Sequence, residues 1–123
     1  MQQNEWLQGN FIDGKICNPA NNEWFDIINP SDETVLSRCA KSTKEDVDSA
    51  VRAAKLAYEE WGKTTGSHRA TILRKIADAV EGNADALARK EAINAGKPLK
   101  EAAWDVSDVS VAFRCFLCRF QAI

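Results

Sequence analysis

Apolar and polar positions change their rhythm near residue 42. Before it, short apolar runs sit between turn residues; after it, apolar residues recur at three- and four-residue steps, so the pattern predicts strands first and helices thereafter. In "FIDGKI", Asp13-Gly14 separates two short apolar pairs, the sequence form of a tight type I′ hairpin. "EWFDIINP" reads as a strand from Trp24 to Ile28, ended at Asn29-Pro30 because proline removes a ladder donor. Residues 30–34 form a polar turn, and "TVLSRCA" returns as another short strand. Strands this short predict edge structure packed on something larger rather than a self-sufficient sheet.

The helical half has recognisable starts and stops. Ser42 with Glu45, or Thr43 with Asp46, supplies a capping box. Val47, Ala50, Val51, Ala54, Tyr58 and Trp61 then share one face. Gly62 and Gly66 bracket a loop, and a second helix is predicted from about Ser67, with Ile72, Leu73, Ile76, Ala79 and Val80 toward the core. Gly82-Asn83 offers a stop and a new N-cap, a shorter helix follows to about Ala95, Gly96 closes it, and Pro98 sits where a first-turn proline is tolerated. The last helix is predicted to turn Leu99, Ala102, Val106, Val109, Phe113, Phe116, Leu117 and Phe120 inward. The expected fold class is α/β, a single partial domain over residues 1–123, with strands at about 10–40 and a helical layer at about 43–120.

That last helix carries an oddity. Glu101, Asp105 and Asp108 fall within roughly 60° of arc at about 100° per residue, with Trp104 on their flank. Like charges so placed repel. A solvated face is the plain explanation; a negatively charged lip awaiting a cation is the sharper one. The stripe is expected a quarter to a third of a turn from the centre of the apolar face, at the border where a groove would open.

Bulk properties exclude several functions. The 123 residues suffice for one domain. Sixteen basic and eighteen acidic side chains, scattered along the chain, give a net charge of -2 and no field to draw in nucleic acid. No apolar run reaches the roughly 18–20 residues of a membrane span, and "MQQNEWLQGN" has neither the basic nor the apolar region of a secretory signal. Four cysteines without such a signal predict reduced thiols and a cytoplasmic protein. Cys115 and Cys118 form a CxxC, but late in a helix and without a second ligand pair, so small thiols are expected there rather than a zinc or redox site. His68 has no nucleophile signature around it, and no glycine-rich phosphate loop follows a strand.

Taken in order, "FIDGK", "INPSDETVLSRCAKSTKEDVDSAVRAAKLAYEEW", "RATILRKIADAVEGNADALARKEAINAGKPLKEA" and "WDVSDV" resemble the N-terminal part of the aldehyde dehydrogenase superfamily. "GKPLKEAAWDVSDV" is most similar to its betaine-aldehyde and aminoaldehyde members. The resemblance implies the N-terminal portion of a Rossmann-like NAD-binding domain, mostly helical here with a short N-terminal hairpin and strands. It implies an NAD(P)-dependent enzyme that attacks an aldehyde with a thiolate, passes hydride to the cofactor and releases a carboxylic acid. It also implies that Glu101, Trp104, Asp105 and Asp108 line the mouth of a substrate tunnel, where carboxylates and an indole face suit a cationic aldehyde. An alkali cation, K+ or Na+, is implied at the main-chain carbonyls of Ile27 and Ile28 and at Asn94, where the family usually has aspartate.

The family's nucleophile, general base and nearly all cofactor contacts are expected beyond this stretch, so no catalytic or cofactor-binding residue is expected in it. After Phe116, "LCRFQAI" departs from the family's usual continuation, as a truncated product, an alternative transcript end or an incomplete gene model would. Three functions follow as expectations. The chain is part of a betaine- or aminoaldehyde-type dehydrogenase, inactive alone and associating as a homo-oligomer or with related subunits. Alternatively it is a non-catalytic protein that binds an intact dehydrogenase subunit, or a helical module that binds cations.

Overall fold

The computed structural model describes residues 9–121, with side chains as far as residue 115. Phe116, Leu117, Cys118 and Phe120, expected to be inward-facing or to form the CxxC, therefore lie outside the described side chains. The chain divides between Lys63 and Thr64 into two compact units. Among the described residues every strand pairing is antiparallel, and helices dominate, as expected.

In the first unit, β1 (Asn10–Ile12) and β2 (Lys15–Cys17) form the hairpin, with Phe11 opposite Ile16. Asp13 and Gly14 both take positive φ, 51° and 73°, which a type I′ turn demands. A Cβ on Gly14 would meet nothing within 4 Å, so conformation and not space selects glycine there. β3 (Trp24–Ile28) pairs with β4 (Val35–Ala40), with a register shift between Ile27, opposite Ser37, and Ile28, opposite Val35. Leu36 is the extra residue, the mark of a bulge. In the connecting turn, Asp32 accepts hydrogen bonds from the Thr34 hydroxyl at 2.6 Å and the Thr34 N–H at 3.0 Å, which hold its carboxyl below the usual range.

Of the two possible capping boxes, the chain uses Thr43 and Asp46 to start α1 (Lys44–Trp61). The Asp46 carboxylate accepts from the Thr43 N–H at 2.7 Å and from the Ala20 N–H at 3.1 and 3.2 Å. One buried carboxylate thus ties the helix start to the turn before β3. The predicted apolar face of α1 is largely uncovered: Val47, Val51, Tyr58 and Trp61 are all exposed. Contiguous apolar exposure of this kind marks an interface. The isolated chain is therefore expected to bind a hydrophobic dye and to self-associate; a monodisperse monomer that unfolds sharply without dye binding would contradict this.

The second unit holds α2 (Gly66–Gly82), α3 (Ala84–Ala95) and α4 (Leu99–Gln121), with α4 packed along α2 and α3. Helix α2 starts slightly before the predicted Ser67, because Thr65 is its cap and accepts from the His68 N–H at 3.1 Å. Asn83 was expected to cap α3, but its side chain instead donates to the Ala79 carbonyl at 2.8 Å and closes α2. Gly96, at φ 71°, supplies the left-handed stop after α3.

The seam between these helices follows the predicted face at Ala102 and Val106 and departs from it elsewhere. Ala70 and Ala77 of α2, Ala88 of α3, and Ala102, Val106 and Ser110 of α4 are buried, whereas Ile76, Leu99 and Val109 remain partly in solvent. Small side chains let the helix backbones approach closely, so size and not apolarity selects the contact row. Ser110 tolerates burial because its hydroxyl donates to the Ser107 carbonyl at 2.9 Å.

Candidate functional site

The acidic face of α4 begins with the turn that precedes it. Gly96 reverses the chain, and the Pro98 carbonyl accepts the N–H groups of Glu101 and Ala102, opening the helix. Lys97, between them, is carried back toward both helices. Its ammonium contacts Glu91 Oε1 of α3 at 2.5 Å and Asp105 Oδ2 of α4. Hydrogen bonding first to Asp105 and then to Glu91 raises its pKa above the usual lysine value.

Glu101, Trp104, Asp105 and Asp108 share the outer side of α4, and all four are exposed, Trp104 by 59%. Because the buried seam runs through Ser110 and not Val109, the stripe stands further from it than expected. Asp105 lies roughly 100° round the helix from the seam, Glu101 roughly 140°, and Asp108 and Trp104 roughly 160°. It is an open face of the helical unit, not the rim of a groove within it. The indole already carries a cation: Lys100 Nζ stands 5.0 Å from the Trp104 ring centroid, within cation–π range. Glu101 and Asp108 make no ion pair among the described residues.

A second ionic cluster fixes the far part of α4. Arg114 donates to Asp78 Oδ1 at 2.8 Å and to Glu81 at 2.8 and 3.2 Å, reaching across to α2. The pairing raises the Arg114 pKa and holds the Glu81 carboxyl below its usual range. This clamp and the alanine seam together fix the rotation of α4, and hence the direction its acidic face points.

The other candidates fall elsewhere. Ile27 and Ile28 stand at the register shift of β3 in the first unit, and Asn94 is exposed near the end of α3 in the second. Among the described residues no group of three or more His, Cys, Asp or Glu side chains is placed to hold a metal ion. No helix among them is long and apolar enough to cross a membrane. Sequence reasoning missed Lys97, Lys100 and Glu91. Lys100, four residues before Trp104, was readable from helical spacing; Lys97 and Glu91 meet only once the Gly96–Pro98 turn has closed.

Comparison with known proteins identifies the family of the chain. The family model described as "Aldehyde dehydrogenase family" matches residues 17–122. Aminoaldehyde dehydrogenase 2 of Solanum lycopersicum is 43% identical over 115 residues, 92% of this chain and 23% of that protein. The chloroplastic betaine aldehyde dehydrogenase of Amaranthus hypochondriacus is 39% identical over 118 residues, 92% of this chain and 24% of the relative. Among solved structures, betaine aldehyde dehydrogenase of Staphylococcus aureus in complex with NAD+ superimposes with a TM-score of 0.88 at 36% identity, covering 92% of this chain and 23% of that one. The chain thus spans about a quarter of the length of these relatives, and the similarity falls on their N-terminal part. The fold is that of the N-terminal portion of their NAD-binding domain.

Proposed function

This chain belongs to the aldehyde dehydrogenase family, and from that premise we propose that it forms the substrate-receiving part of a betaine- or aminoaldehyde-type enzyme. The whole enzyme would oxidise cationic aldehydes to carboxylic acids with NAD(P). Among the described residues the strand pairings are antiparallel, and this reading gives the segment a part at the substrate end rather than at the cofactor. Its own task in this reading is to collect and orient the cationic end of the substrate. The supporting observation is that the face already binds ammonium groups: Asp105 holds that of Lys97, and Trp104 lies under that of Lys100. A substrate ammonium would meet the same chemistry, a carboxylate for long-range attraction and an indole for short-range contact.

The test is a related dehydrogenase carrying residues 17–115 of this chain in place of its own. Asp105→Asn with Asp108→Asn is expected to raise KM for an aminoaldehyde several-fold while a neutral aliphatic aldehyde of similar size keeps its KM. The difference should shrink as salt is raised past the point where the Debye length falls below about 8–10 Å. Equal effects on both aldehydes, or none, would return the stripe to a merely solvated face.

An alkali cation, K+ or Na+, belongs to the same proposal, with the main-chain carbonyls of Ile27 and Ile28 as its ligands in the first unit. Neutral oxygens of this kind suit a hard cation, and the β3 register shift interrupts regular pairing beside Ile28. Replacing K+ and Na+ by Tris should lower the thermal midpoint of such a chimera; an unchanged midpoint would remove the ion from the proposal. A cytoplasmic setting is part of this reading; among the described residues Cys17, Cys39 and Cys115 are free thiols, compatible with any reducing compartment. Homo-oligomerisation, or association with related dehydrogenase subunits, is the reading favoured by the uncovered face of α1.

A further inference from the structure

Lys97 is better shielded than Lys41, Lys44 and Lys63, which are also ion-paired. Its side chain is 26% exposed, against 64%, 87% and 71% for Lys41, Lys44 and Lys63. Held between two helices, it is shared by two carboxylates, Glu91 and Asp105. Glu91 lies on α3, off the acidic stripe; Asp105 is the stripe member nearest the buried seam. The shared ammonium therefore has one partner inside the stripe and one outside it.

We propose that Lys97 is a specificity-determining residue of this face: it neutralises Asp105 at rest and withdraws onto Glu91 when an arriving alkylammonium takes Asp105. This rests on the reading of the face as one that receives cations. The exchange is inexpensive because neither charge is stranded. Leaving a partner unpaired is the main penalty in breaking an ion pair out of bulk water, and Glu91 removes it. Lys97 and Glu91 then act in opposite directions on the same carboxylate. Without Lys97, Asp105 presents its full charge; without Glu91, Lys97 has no second partner and competes harder for Asp105. A lysine that only stabilised the α3–α4 turn would predict a loss of stability in both variants, and no opposed change in cation binding.

The experiment uses the 123-residue chain with propylammonium chloride as probe, against sodium chloride at equal ionic strength. NMR follows the carboxyl carbons of Asp105 and Asp108 and the indole N–H of Trp104. Lys97→Met should tighten propylammonium at Asp105 roughly two- to fivefold, the range of a partly exposed ion pair. Glu91→Gln should weaken it by a similar factor. Both effects should vanish in an Asp105→Asn background, since a coupling confined to this triad disappears when the shared partner is removed. Glu91→Gln and Lys97→Gln keep the test open if Lys97→Met fails to fold. If Asp105→Asn with Asp108→Asn weakens binding but Lys97→Met and Glu91→Gln leave it unchanged, this inference is overturned and the receiving face stands. If propylammonium shifts none of the three signals more than sodium does, both fall.

Discussion

Ala102→Leu is expected to cost the helical unit roughly 1–3 kcal/mol of stability, the usual penalty for forcing extra methylenes into a packed core. Ala102 is fully buried and belongs to the same core cluster as Ala88 and Val106, with Val80, Ala84 and Ala92 packed around them. A leucine there must push α4 outward or adopt a strained rotamer. Either response also turns Trp104 and Asp105, so the chimera should lose preference for cationic aldehydes along with stability. Val111→Leu, on the exposed side of the same helix, should stay within about 0.5 kcal/mol of the parent. Urea midpoints of the two variants are the measurement. Equal midpoints would mean that the space beside Ala102 is larger than the closed seam implies.

The second large effect concerns acid. The carboxyl of Asp46 is held below its usual range, first by the Thr43 N–H and then by the Ala20 N–H and the Thr43 hydroxyl, against the opposing effect of burial. A depressed carboxyl contributes stability that is fully present above its unfolded pKa of about 3.9 and is lost as pH falls through the lower folded value. The first unit should therefore weaken steeply below about pH 4. Asp46→Asn should be less stable at neutral pH, because the amide loses the negative charge and one of the two oxygens that accept from Thr43 and Ala20, and its stability should fall less steeply in acid. Some slope should remain, since Asp32 is depressed as well. Thr43→Ala removes the other half of the box and should cost about 1 kcal/mol, with a smaller loss of acid slope than Asp46→Asn, since the hydroxyl is one of several groups holding that carboxyl low. An Asp46→Asn chain whose denaturation follows pH just as the parent's does would show that the carboxylate is solvated.

Elements set by local chemistry were legible in the sequence. Asp13-Gly14 specifies a turn that few residue pairs can make, and Thr43 with Asp46 satisfies helix donors within four residues. The α2–α4 seam was legible only in part, at Ala102 and Val106, because apolar periodicity ranks positions by hydrophobicity. It favoured Ile76 and Val109, whereas close approach ranks positions by size and chose Ala77 and Ser110. The same error placed the acidic stripe too near the seam. At the candidate site the shared face of the acids and Trp104 could be read from spacing, and their part at a substrate mouth only from the family resemblance. The Lys97 link to Glu91 and Asp105 could not, since it exists only after the chain has reversed at Gly96.

The alanines of the seam also govern how the helical unit responds to temperature. Alanine has no rotamers to freeze, so α2, α3 and α4 come together with little loss of side-chain entropy. Each alanine also removes little apolar surface from water, and the heat capacity released on unfolding grows with that surface. A contact built this way has a broad, shallow stability curve: it gives up little on cooling, gains little at its optimum, and holds its geometry across a wide range of temperature.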